Sequence, residues 1–222
     1  MTMRHVRRTG VAGLALAGLV LAGVSPAQAL PEEALASGTI GSVEATYGGD
    51  PVQVEPLAAC DTQDVQVADS ASHVERGFLE FGRGSSSCTR DADTGVASAE
   101  VTGELFRLDA LRAYGGPRIR LTDYTVECAT TENGSSASFH IGGLSGLAVP
   151  SRLPPNHVVT VPGSEPAAPP LARVTLNETV VPDPPDGGIT VNLMHVRLFP
   201  DGGSQGDLGG EIVVGSVHCS PF

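Results

Sequence analysis

The sequence predicts an all-β, β-sandwich-like domain behind a cleavable leader. Two observations carry the fold class. Short runs rich in Val, Ile, Leu and Thr alternate with dense turn punctuation, 28 Gly and 17 Pro in 222 residues. No long amphipathic helix interrupts them. About nine strands are expected, at 42–47, 65–74, 96–108, 118–130, 136–141, 157–161, 172–181, 189–199 and 211–219. Strands without intervening helices argue for sheet packed on sheet. Within 189–196, strict alternation places Ile189, Val191, Leu193 and His195 on one face. Thr190, Asn192, Met194 and Val196 then share the other. The stretch FRLDALRAYGG, 106–116, fits one or two helical turns ending at Gly115-Gly116, or a bent strand. The Pro-rich stretches 162–172 and 182–188 are loops, because Pro cannot donate to a ladder. Residues 199–210 form the hairpin connection between the last two strands. No repeat of solenoid or propeller length is present.

Residues 1–29 have the layout of a secretory signal. Arg4, Arg7 and Arg8 form a basic head, and Val11 to Val24 is an apolar run of 14 residues. Ala27 and Ala29 then supply the small −3 and −1 positions. A membrane span needs about 20 apolar residues, so a permanent anchor is not expected. Thr9-Gly10 after the twin arginine is a poor match to a Tat signal. Residues 30–222 are then one domain, long enough to bury about 70% of its unfolded surface.

That domain carries ten arginines, no lysine and all 25 acidic residues, a formal charge of −15. Such a surface repels phosphate backbones and anionic lipid, which argues against nucleic-acid and membrane-surface binding. The four cysteines, Cys60, Cys88, Cys128 and Cys219, all follow the leader and lack C-x-x-C spacing. In an exported chain they read as two disulfides. Three pairings are possible. Cys60–Cys88 with Cys128–Cys219 is favoured, since the first closes a short polar loop and the second joins two strand-like runs.

The C-terminal half, 126–219, contains a series of blocks in order: YTVECATTENG, SFHIGGLSGLAVP, PPNHVVTVPG, ARVTLNETV with Asn177-Glu178, GGITVNLMHVRL and EIVVGSVHCS. The series resembles the actinobacterial exported proteins called choice-of-anchor P. The resemblance implies a mostly β domain at the cell envelope or beyond, and no known reaction. Members often end in a sorting motif or membrane segment, and the ending GSVHCSPF departs from that pattern.

No catalytic, cofactor or metal motif stands out. Ser145 in GGLSGLAV is one residue out of step with a G-x-S-x-G elbow and reads as a turn. A P-loop requires a Lys, and there is none. A sugar-stacking cleft is poorly supplied, with no Trp and 4% aromatics. DADTG (91–95) resembles the opening of an acidic loop but lacks the third acid and the terminal Glu of a Ca²⁺-binding EF-hand loop, and GGSQGDLGG (202–210) is a single unstacked copy of a Ca²⁺-repeat-like run. The five histidines of residues 30–222 lack zinc-ligand spacing. His195 and His218 lie on the two hairpin-joined last strands and are the one candidate polar pair.

The reading is therefore a secreted, non-enzymatic β domain with a binding or structural role, of unknown partner. The alternatives are a hydrolase using a carboxylate/His site without a motif, or a divalent-ion or small-ligand binder. Mass spectrometry of exported material should find the N-terminus at Leu30. An intact Met1 would refute the leader.

Overall fold

The computed structural model describes residues 33–165, 167–202 and 206–221. The expected leader, residues 1–29, lies outside them. Residues 31–222 cluster as one unit, and the described residues are all-β, with one short 3₁₀ turn. None of their helices is long and apolar enough to cross a membrane.

One layer is a seven-stranded antiparallel sheet. Its C-terminal part is a meander of β13 (His157–Val161), β14 (Ala172–Val180), β15 (Ile189–Leu198) and β16 (Leu208–Ser220). The N-terminal β1 (Leu35–Tyr47) pairs with β16 along nearly its whole length, closing first strand on last. β2 (Asp50–Leu57) and β3 (Cys60–Asp61) share the other side of β1. β2 is an edge strand and tolerates Pro51 and Pro56 for that reason.

The second layer is interrupted. A five-stranded sheet runs in the order β12 (Gly134–Gly142), β11 (Asp123–Thr131), β8 (Ala97–Gly103), β7 (Gly84–Arg90) and β4 (Val67–Ser70). A four-stranded sheet runs β10 (Ile119–Leu121), β9 (Phe106–Leu108), β6 (Leu79–Phe81) and β5 (His73–Glu75). The chain passes almost directly from β6 to β7, β8 to β9 and β10 to β11, so three strands cross from one sheet to the other. β1 and β16 pack against β7, β8 and β11, giving the expected sandwich. The stretch 106–116 is both things its sequence allowed: β9 first, then a 3₁₀ turn at Ala110–Tyr114 that Gly115 terminates in the left-handed conformation.

Both disulfides have the favoured pairing, and both cross between layers. Cys60 on β3 joins Cys88 on β7, with Cα atoms 5.7 Å apart. Cys128 on β11 joins Cys219 on β16, with Cα atoms 6.0 Å apart. Gly38 lies between them on β1. A side chain there would meet Val101 Cγ2 at 2.7 Å, so the sheets approach this closely only over glycine.

The alternation expected in β15 is corrected. Leu193 and Met194 are consecutive and both fully buried, and His195 faces out with Asn192 and Arg197. The cause is a slip line across four strands. Ladder partners are skipped at Asn177, Leu193, Gly215 and Ile40, while the rungs on either side keep one register. Asn177 and Gly215 are left-handed, at φ 51° and 60°. Each strand takes one residue out of the alternation at the same level, so faces exchange without any slip between strands. A Cβ on Gly215 would also crowd Val126, Leu193 and Tyr124 at 3.0 to 3.2 Å. Beneath the line, the buried Tyr124 hydroxyl donates to the Ile40 carbonyl at 3.0 Å. Burial pushes this phenol's pKa upward, so it stays a neutral donor.

The two cystines close loops of different length, with sequence separations of 28 and 91. In the chain-entropy treatment they contribute about 3.6 and about 4.6 kcal/mol. Cys219→Ser should therefore lower the melting temperature more than Cys60→Ser, and both far more than a surface substitution. Calorimetry checks the order, and the reverse ranking would contradict the account.

Candidate functional site

A polar cluster lies on the outer face of the seven-stranded sheet, where β14, β15 and β16 run side by side. His195 is 8% exposed. Its Nδ1 lies 2.9 Å from both carboxylate oxygens of Glu178, and its Nε2 lies 3.3 Å from Glu211 Oε2. Asn192 Nδ2 donates to Glu178 Oε2 at 2.7 Å. Arg197 Nε reaches Glu211 Oε1 at 3.2 Å. Each ring nitrogen therefore faces a carboxylate, Nδ1 that of Glu178 and Nε2 that of Glu211.

Backbone irregularity presents Glu178. The preceding Asn177 is the left-handed residue of the slip line. Asn156, also left-handed at φ 57°, donates its N–H to the Asn177 carbonyl and accepts from the Thr179 N–H, both at 2.8 Å. The loop before β13 thus clamps the residues on either side of Glu178. Strain of this kind needs surroundings that over-determine it, and here they are explicit.

The expected His195–His218 pair does not form. His195 stands opposite Val213, and His218 opposite Thr190. Five residues of β15 separate the two rungs, about 17 Å of strand. A hairpin with a long connection fixes strand adjacency but not register. His218 Nδ1 instead meets Thr190 Oγ1 at 2.9 Å. Around His195 the two carboxylates sit on opposite ring nitrogens and share no point for an ion. Among the described residues no three His, Cys, Asp or Glu side chains converge on a metal position.

The other sequence candidates resolve as turns. Ser145 pairs backbone to backbone with Arg120, at 2.9 and 3.0 Å, between the left-handed Gly143 and Gly146. Asp91 Oδ1 accepts from the Asp93 N–H and from the Thr94 N–H and hydroxyl, at 2.7 to 3.0 Å. Those donors, the Thr94 N–H foremost, hold the Asp91 carboxyl below its ordinary pKa. Its carboxylate serves its own loop. The 202–210 run lies partly outside the described residues.

A second feature was not anticipated. The outer face of the five-stranded sheet is a shallow trough of about 420 Å³. One rung across it reads Ser87, Glu100, Glu127, Ser138. The next holds Thr89 and Ser98, whose hydroxyls lie 3.0 Å apart. Its side chains are small or polar, and no aromatic lines it.

No family model, curated protein or solved structure matches the chain.

Glu178 and Glu211 were missed because acids on different strands carry no spacing signal. The Asn177-Glu178 pair was visible only as part of a block. Glu178, with 17% side-chain exposure, should matter more than Glu211 at 54%. Glu178→Gln should cost about 1.5–3 kcal/mol, the range for a hydrogen bond to a charged group. Glu211→Gln should cost under about 0.5 kcal/mol, as a screened surface pair. Urea unfolding of both variants decides, and equal losses would break the argument.

Proposed function

We propose that this chain is an exported, non-enzymatic β domain of the choice-of-anchor P kind, with a binding or structural role at or outside the cell envelope. The observation that carries the reading is the placement of the cystines. Both tie one layer of the sandwich to the other, and neither decorates a loop. A fold fastened this way belongs in an oxidising compartment. The sequence supports the same compartment independently through its signal-like first 29 residues.

The polar cluster favours a structural role over catalysis. A general base needs a free lone pair within reach of the proton it abstracts. His195 has a carboxylate at each nitrogen, and Glu178 spends both oxygens inside the cluster. The network fastens β14, β15 and β16 together. In this cluster a hydrolase would find Glu178 and His195, and the ring's Nε2 is directed at Glu211.

Two measurements test this reading. Fractionation of the producing cells should place the processed chain in the medium or loosely on the envelope, released by salt. Purified protein should be silent on ester, peptide and glycoside panels. Turnover that is lost in His195→Gln would replace the reading with the hydrolase one.

A further inference from the structure

The charge of residues 30–222 is unevenly placed. Residues 73–82 and 105–121, which build the four-stranded sheet and its 3₁₀ turn, carry five arginines against three acids. The rest carries five arginines against 22 acids. On the four-stranded sheet Arg120 stands directly opposite Arg107. Arg107 is met by Glu80 at 2.8 Å and by Asp109 at 2.9 Å, and Asp109 also takes Arg118. Arg120 is exposed and has no carboxylate partner among the described residues. Like charges directly opposite on a ladder are destabilising.

The five-stranded sheet carries the complementary rung. Glu100 stands directly opposite Glu127 in the trough. Both are exposed. Glu127 accepts only from Ser138 Oγ, at 3.3 Å, and no cation meets either carboxylate among the described residues. The flanking serines and threonines are short, so the trough admits a guanidinium to both acids.

We infer that the occupant of the trough is a second copy of this chain, docked by its Arg120–Arg107 rung on the Glu100–Glu127 rung. Three observations support the match. The charges are opposite. The spacing is common to both, because each is a directly opposed antiparallel pair with Cβ atoms about 4.5–5.5 Å apart. A guanidinium and a carboxylate also pair as two parallel hydrogen bonds, which fixes geometry as well as charge. Docking relieves the Glu100–Glu127 like-charge contact and gives Arg120 a carboxylate partner, while Glu80 and Asp109 already offset Arg107. The arginine face is also the approach least opposed by the acidic remainder of a neighbouring copy. The contact differs on its two sides, so it either closes as reciprocal pairs in a dimer or propagates head to tail. An assembly built on exposed ion pairs is weak and salt-sensitive.

The test is sedimentation velocity on the purified, disulfide-bonded chain at rising concentration. Raising the salt from about 0.01 M to about 1 M shortens the screening length from about 30 Å to about 3 Å. The association constant should fall at least about tenfold over that range. Arg120→Glu alone and Glu127→Arg alone should each associate far less than the parent chain. Mixed one to one, they should associate again, because each retains the half the other has lost. Arg152→Gln serves as a control and should change nothing. Each variant is checked for its parent's melting temperature, and the two substitutions lie on different sheets, so misfolding of one leaves the other informative. A chain that stays monomeric in low salt overturns the inference. So does association that ignores salt or survives both reversals. Binding of inorganic polyphosphate that is lost in Arg120→Glu, with the chain monomeric throughout, would also overturn it and assign the arginine face to a polyanion.

Discussion

Everything else in this domain is arranged around the covalent distance between its two layers. Cys88, Ala99 and Cys128 occupy one rung of β7, β8 and β11. From the ends of that rung, one cystine reaches β3 and the other reaches β16. The small Ala99 between them and Gly38 across the gap let the sheets come together where the bonds require it. The same rung anchors the first and last described strands. β16 is held by Cys219, and β1 is held between β16 and β3. Terminal strands fray unless tied, and here first and last strand are tied to each other and to the opposite layer.

The slip line crosses the long strands of the seven-stranded sheet, and it produces the polar site. β1, 13 residues long, continues beyond the slip line, and its Tyr47 stacks on Phe78, just before β6, with ring centroids 5.1 Å apart. Phe81 of β6 lies under Gly41 of β1, just beyond the slip line. In the opposite layer the strands break at nearly the same level. Gly82 and Glu104 make non-ladder hydrogen bonds to Leu105 and Arg83. Tyr124, buried at the junction, answers the Ile40 carbonyl that the slip leaves out of the ladder. A buried carbonyl without a donor would cost about 1–3 kcal/mol. One consequence of the slip is that His195, inward by strict alternation, turns outward to meet Glu178 and Glu211.

What the sequence could and could not disclose follows from those causes. Strand composition and turn punctuation reveal the β class, because they depend on neighbours in the chain. The C-terminal meander was legible strand by strand for that reason. β7, GSSSCTR, was missed because a serine-rich strand has no apolar alternation of its own, though Cys88 and Ser86 are its buried positions. β2 was missed because its two prolines read as loop. The disulfide pairing was legible because loop length and strand position constrain it. The face of His195 was not, because the slip line depends on four strands agreeing at one level, and only Asn177 and Gly215 mark it locally. An isolated Gly in a strand is a known sign of such a break, and Gly215 within EIVVGSVHC is that sign here.

The candidate sites show the same limit more sharply. Glu178, His195 and Glu211 come from three strands, and their meeting depends on register. Register in the β15–β16 hairpin cannot be read from the connection, since residues 199–207 are too many to impose a turn type. Apolar patterning normally sets register by forcing one face inward, but a mid-strand slip makes that pattern self-contradictory beyond residue 193. A reader following alternation from Ile189 places His195 in the core, where an unpaired imidazole would be costly. Following it backward from Leu198 places His195 outside. Two valid readings that disagree within one strand are themselves the signature of the slip. In this chain the conflict between them falls between Leu193 and Met194, immediately before the histidine on which the polar network converges.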